Sequence, residues 1–351
     1  MVQTLKKYTG EGLVFTTVPF VAGDGFGCNL IHVKGSTAPK KGPVLLVHGA
    51  GVSASIFLAP VKKNIVDYLL EEGYDVWLEN WRSSIDLPPN QWTLDQAALY
   101  DHPFAVKKVV EETGQPRIKA IIHCQGSTSF MMSVVMGLVP QVYNIISNAV
   151  SLHPVVPDFS RFKLGYLVPV VKMMTPYLNP QWGVQPRGFA AIMINTLVRL
   201  THHECSNGVC KQVSFTYGSG FPALWRHENL NEETHEWISH EFAHVPMSFY
   251  RQIALSVKEG HLRSAGDNDF FPASLLEHQP QTDARITFFA GEKNLCFLPL
   301  SQQKSFEYFD RIRPNYHGLQ LVPGYSHLDI FIGRNAFRDV FPLMAQALSL
   351  N

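Results

Sequence analysis

The chain has 351 residues, 29 basic against 29 acidic side chains, a formal net charge of zero and 46% hydrophobic residues. Without a basic excess it does not read as a nucleic-acid binder, and no run approaches the roughly 20 apolar residues of a membrane span. Five scattered cysteines (Cys28, Cys124, Cys205, Cys210, Cys296) and an opening Met1–Lys7 without an apolar leader core lead us to expect free thiols and a cytoplasmic setting.

Leu13–Val18 and Asn29–Val33 read as a hairpin around the turn residues Gly23-Asp24-Gly25. Pro43–Val47 is a continuous apolar run, the pattern of a strand buried on both faces. The loop His48-Gly49-Ala50-Gly51 follows, then helical periodicity over Ser53–Leu70 and a strand at Tyr74–Leu78. Thr93 caps a helix reaching about Thr113, and Ile118–Ile122 is the next strand. From about 155 to 283 proline, histidine and aromatic residues thicken and no buried strand is evident, which reads as a mostly helical cap inserted after the sixth strand. Strand pattern resumes at Arg285–Ala290 and Leu319–Val322, and a closing helix is expected from Ala336 to Leu350. Strands alternating with helices predict a mostly parallel, doubly wound α/β sheet, so the domains are a core (1–154), the cap (155–283) and the rest of the core (284–351).

The chemistry centres on Ile122-His123-Cys124-Gln125-Gly126. A strand, a sharp turn and a helix form the nucleophile elbow, usually written G-x-S-x-G; here isoleucine replaces the first glycine and cysteine the serine. An elbow predicts an acid after a late strand and then a histidine near the end of the chain. His327 occupies the histidine position, and the acid position, in the loop after Arg285–Ala290, holds the amide Asn294. The two departures are consistent: a thiol beside an imidazolium ionises readily, and an amide oxygen then suffices to orient the ring. Two backbone N–H groups, of Gln125 and Ala50, are the expected oxyanion donors, and the helix starting at Gln125 adds its positive end. Gly49, His123, Trp81, Arg82 and Cys296 are candidate pocket residues, although a structural salt bridge is an equally good reading of Arg82, and core packing a better one of Cys296. Asp329 is an alternative orienting acid for His327.

In the cap, His240-Glu241-Phe242-Ala243-His244 fits H-E-x-x-H, but Val245-Pro246 should end any helix there, so a zinc hydrolase is not expected. His202-His203-Glu204-Cys205 with Cys210 offers metal or disulfide chemistry, with a packed or solvated loop the plainer reading. No metal site and no organic cofactor are expected.

Several segments together resemble one family, the acid lipases (gastric and lysosomal lipases) of the α/β-hydrolase fold. They are Val47-His48-Gly49, Gly73–Asn80 (GYDVWLEN), Tyr100-Asp101-His102-Pro103, His123–Ser127 (HCQGS) and His327-Leu328-Asp329 followed by Gly333 and Ala336. The resemblance covers most of the chain outside the cap and puts the family's serine, aspartate and histidine on Cys124, Asn294 and His327. It implies acyl chemistry on lipophilic substrates. The expected function is a cysteine-nucleophile esterase or thioesterase acting on a small hydrophobic acyl substrate through a thioester acyl-enzyme. Transfer of the acyl group to an amine, alcohol or carbon nucleophile and a catalytically silent ligand-binding homologue are the alternatives.

Overall fold

A computed structural model describes residues 12–350; Met1–Lys7, weighed above for a leader, lies outside them. Eight strands form one sheet: β1 (Val14–Val21), β2 (Gly27–Lys34), β3 (Pro43–Val47), β4 (Asp75–Asn80), β5 (Ile118–His123), β6 (Val142–Asn148), β9 (Arg285–Gly291) and β10 (Gly318–Val322). Their order across the sheet is β1-β2-β4-β3-β5-β6-β9-β10. The β1–β2 and β2–β4 pairs are antiparallel, and every other pair is parallel. This is the α/β-hydrolase architecture expected from the alternation of elements. The central strands β3 and β5 are buried at every position, as expected of strands covered by helices on both faces; β3 is wholly apolar, and β5 is apolar except at Lys119 and His123.

Two expected helices are broken. Over Ser53–Leu70 there is a short 3-10 turn, Ala54–Leu58, and then helix α1 (Ile65–Glu71). Pro60 interrupts the run, and Asn64 starts a new helix with a capping box to Asp67. The closing helix divides into Ala336–Asp339 and Phe341–Ser349, the second with Pro342 in its first turn. Thr93 does cap the helical stretch that ends in α2 (His102–Thr113), its side chain accepting from the Gln96 N–H, with a π-helical turn at Ala97–Asp101 on the way.

Between β6 and β9 the chain is mostly helical. It includes Asp158–Phe162, Val168–Met174, Phe189–Thr201, Gly208–Tyr217, Glu232–Trp237 and Met247–Glu259. The departure from an all-helical cap is a two-residue ladder between β7 (Tyr177–Leu178) and β8 (Val245–Pro246). No helix of the described residues is long and apolar enough to cross a membrane.

Beneath the helix that follows β5 lies a buried polar chain. Glu79 Oε1 is 2.9 Å from His102 Nδ1, and His102 Nε2 is 2.7 Å from Ser129 Oγ. All three residues are fully buried. Ser129 also donates to the Gln125 carbonyl at 3.1 Å, so the chain braces the first turn of the helix after β5.

Candidate functional site

Cys124 is the first residue of helix α3 (Cys124–Val135), immediately after β5, and its φ is +56°. A side chain rarely adopts that left-handed backbone, and a strand-to-helix turn that lifts one residue above the sheet requires it. The turn fits because its neighbours are small. A Cβ on Gly49 would stand 2.8 Å from the Cys124 Cβ, and one on Gly126 would collide with the His48 carbonyl. The substituted position Ile122 is wholly buried in β5, opposite Val47 and Ser147, so the side chain is absorbed by the core.

The backbone N–H groups of Gln125 and Ala50 face the Cys124 sulfur and favour its anion. These are the two expected oxyanion donors. Ala50 is also joined to the cap, because Tyr217 Oη donates to its carbonyl at 3.3 Å. Next to it, Gly51 has φ +71° and leaves no room for a Cβ against Tyr217 and Val245.

His327 lies in the loop after β10, its N–H bonded to the Leu224 carbonyl of the cap at 3.2 Å. The sulfur of Cys124 and ring nitrogens of His123 and His327 lie within 4.8 Å of one another. Asn294 reaches His327 from the loop after β9, where any Cβ on Gly291 would strike the carbonyls of Tyr325 and Ser326. The three residues named from sequence therefore meet.

Their hydrogen bonding differs from expectation. The Asn294 side-chain oxygen accepts from the Cys296 N–H at 2.9 Å, and its Nδ2 lies 3.1 Å from His327 Nδ1. A backbone N–H only donates, so it fixes the amide oxygen and leaves the NH2 facing the ring. His327 Nδ1 is then an acceptor and the ring proton sits on Nε2, the opposite of the anticipated oxygen-to-ring contact. The electrostatics agree. Burial pushes the Cys124 thiol up to about 12, against the lowering by the Gln125 and Ala50 N–H groups. Burial also takes the His327 imidazole down to about 3. With no carboxylate against either group, the resting pair is a neutral thiol and a neutral imidazole rather than the expected ion pair.

Asp329 is not the orienting acid. One of its oxygens accepts from the Ser326 N–H at 2.7 Å, and the other from the Arg226 N–H and from Asn229 Nδ2. It holds the histidine loop and the cap together.

Above Cys124 opens a cavity of about 810 Å³ of non-atom space, counting its mouth. Cys124, Gln125 and Cys296 line its base; Leu164, Leu167, Val168, Phe215, Phe249 and Tyr250 give it an apolar wall. Of the other pocket candidates, Trp81 and Arg82 are corrected. Trp81 is fully buried and donates to the His48 carbonyl at 2.9 Å. Arg82 is held by Asp101 and Asp24 in ion pairs of 2.6 and 2.9 Å, where its guanidinium fork is satisfied inside the core. Gly49 shapes the elbow without lining the cavity. His123 accepts from Asn148 Nδ2 at 2.8 Å and packs on His327 with ring centroids 4.8 Å apart.

Sequence reasoning missed Lys163 and Tyr217, which also line the cavity. Lys163 donates to the carbonyls of Phe215 (2.6 Å) and Gly218, and burial lowers its ammonium to about 8. A lysine inside the apolar stretch Phe159–Val171 was the available signal; Tyr217 carried none. The H-E-x-x-H segment forms no metal site: His240 ends a 3-10 turn, buried Glu241 accepts from Ser55, and Val245-Pro246 is strand β8.

No protein-family model matches the chain. Lipase member K of Homo sapiens is 25% identical over 339 residues, covering 90% of this chain and 80% of that protein. Sterol esterase 2 of Saccharomyces cerevisiae is 27% identical over 222 residues, 55% of this chain and 40% of that longer protein. Among solved structures, DcsB in complex with its substrate analogue aligns with a TM-score of 0.60 at 15% identity, covering 95% of this chain and 99% of that one. A thermophilic esterase from Thermogutta terrifontis gives 0.55 at 12% identity over 95% and 100%. At such identities the structures speak to the fold alone. The elbow, the late histidine and the sheet order agree with these matches: the chain has the α/β-hydrolase fold and is similar in sequence to lipases and a sterol esterase.

Proposed function

We propose that the protein is an esterase-type acyl hydrolase that takes a hydrophobic ester or thioester and uses Cys124 as its nucleophile. One observation carries this reading: a sulfur on a left-handed elbow, facing two backbone N–H groups, at the base of an apolar cavity. The names of the relatives, a lipase and a sterol esterase, support a lipophilic ester as the substrate class. In the proposed cycle the Cys124 sulfur attacks the acyl carbonyl, and the N–H groups of Gln125 and Ala50 receive the oxyanion. The thiol proton passes to His327 Nε2 and from there to the leaving oxygen or sulfur, and water then cleaves the thioester. For Nε2 to accept, the ring must move its proton to Nδ1. Asn294 must then turn its oxygen toward the ring and give up the Cys296 N–H. The resting geometry is thus one side-chain rotation from the competent one.

The neutral Cys124–His327 pair favours a second reading, a pocket that binds a lipophilic ligand without turnover. The two separate by experiment. Aryl esters and acyl thioesters of increasing chain length are incubated with the protein, and the intact mass and Cys124 peptide are recorded. An acyl adduct on Cys124, with turnover lost in Cys124→Ala, is the expected result. Saturable binding with neither adduct nor turnover would establish the silent pocket instead.

A further inference from the structure

The cap brings together four metal-ligating side chains that the catalytic reading leaves unused. Cys205 lies in the loop after the helix Phe189–Thr201, and Cys210 in the first turn of the helix Gly208–Tyr217. His227 opens the 3-10 turn His227–Asn229, and His235 sits in the helix Glu232–Trp237. Their two sulfurs and two ring nitrogens lie within 4.8 Å of one another. Cys210 Sγ is 3.4 Å from His227 Nε2, and the two imidazoles cross edge to face with centroids 4.7 Å apart. Tetrahedral zinc bonds of about 2.3 Å to sulfur and 2.0–2.1 Å to nitrogen place neighbouring ligand atoms about 3.3–3.8 Å apart. The cluster is therefore within small side-chain adjustments of that shape.

The surroundings point to a cation independently. His235 Nε2 is buried with no hydrogen-bond partner, and so are both carboxylate oxygens of Glu204, whose charge acts on Cys210. Unpaired buried carboxylates are costly unless a positive charge is near. The backbone is also braced for ligation. Asn207 caps the Cys210 helix by accepting from the N–H groups of Val209 and Cys210, and its Nδ2 donates to the His235 carbonyl at 3.0 Å. One side chain therefore fixes a cysteine-bearing segment and a histidine-bearing segment together. Both cysteines are free thiols.

We propose that Cys205, Cys210, His227 and His235 bind one zinc ion as a structural site that fastens the cap. Two thiols and two imidazoles form a closed four-ligand set, which suits structural zinc and leaves no position for a substrate. Binding forms two Zn–S and two Zn–N bonds, releases the two thiol protons to solvent and changes no oxidation state. The sequence reading weighed His202-His203-Glu204-Cys205 with Cys210 and preferred a packed or solvated loop; the two histidines that join Cys205 and Cys210 lie 17 and 25 residues beyond Cys210.

The test uses the full chain. Elemental analysis of protein grown with zinc should give about one ion per chain. Cys210→Ser and His235→Ala should lose it, while His240→Ala, in the unused H-E-x-x-H segment, should keep it. On the unaltered chain, so that no variant has to fold, chelation should lower the melting temperature and expose Cys205 and Cys210 to alkylation. Refilling with Co2+ alone should then give the visible bands of a tetrahedral site and a thiolate-to-cobalt charge-transfer band. A Cys205–Cys210 disulfide in a non-reducing peptide map, or a reduced chain that takes up Co2+ without the thiolate band, overturns the proposal.

Discussion

Helix α3 carries two histidine-centred arrays, and they have complementary defects. In the Ser129–His102–Glu79 chain the hydroxyl, both ring nitrogens and one carboxylate oxygen are joined, at 2.7 and 2.9 Å, with a carboxylate in the third place. It has no access, since all three residues are fully buried and none lines the cavity. The Cys124–His327–Asn294 array has the cavity, the strained elbow and the two facing N–H groups, but an amide in place of the acid and a resting ring tautomer turned the wrong way. A hydroxyl, an imidazole and a carboxylate in hydrogen-bonded sequence make a strut when packing surrounds them. On the proposed reading, the site of chemistry is set by the backbone geometry that presents Cys124 to open space.

The largest expected effect separates the arrays by activity. Cys124→Ala should lower acyl-ester turnover by about 10³-fold or more, as loss of a nucleophile does, whereas Ser129→Ala should leave kcat/KM within about threefold. Loss of turnover in a folded Ser129→Ala, checked by circular dichroism, would put the buried array into the mechanism and end the distinction. Stability should run the other way. Glu79→Ala strands His102 in the core and should cost about 3 kcal/mol or more in urea unfolding. Asn294→Ala should cost about 1–2 kcal/mol, the loss of one Cys296 N–H bond and one contact to the ring. Equal losses would mean that the two arrays share the structural load.

The smallest effect sharpens the role of the amide. With the thiol held near 12 and the imidazole near 3, alkylation of Cys124 should rise about tenfold per pH unit from pH 6 to 9, following the thiolate fraction, with no plateau. In Asn294→Asp the carboxylate can accept from both the Cys296 N–H and His327 Nδ1–H. That raises the imidazole pKa, lowers the thiol's and should speed alkylation at pH 7 by about tenfold. A neutral-pH plateau in the unaltered protein would show that the ion pair already exists at rest.

What could be read from sequence tracks what local pattern determines. β3, β5 and the elbow were legible because Val44–Val47 is apolar on both faces, Ile118–Ile122 is apolar except at Lys119, and the turn needs Gly126. The break in Ser53–Leu70 was signalled by Pro60 and the Asn64 capping box but was overridden by the longer periodicity. Arg82 was equally readable as pocket or salt bridge until Asp24 and Asp101, 58 and 19 positions away, closed on it. The direction of the Asn294 amide was beyond reach, because the group that sets it is the main-chain N–H of Cys296, and every residue type except proline supplies one. The cap's contribution to the cavity was hard to read for a related reason: Lys163, in the middle of a helical stretch, and Tyr217, at the end of a helix, act through tertiary placement rather than through a motif.

The bond from Tyr217 to the Ala50 carbonyl, with Gly51 wedged beneath the same tyrosine, gives the cap a hold on the loop that carries a proposed oxyanion donor. Displacement of the cap at Tyr217 would therefore act directly on the backbone that carries the Ala50 N–H. A ligand large enough to push the Gly208–Tyr217 helix outward also loosens the donor it would need, whereas one that fits beneath the closed cap keeps it taut. For the proposed hydrolase, size discrimination is then expected to act through the loop itself, as a latch would, without a wall at the end of the pocket.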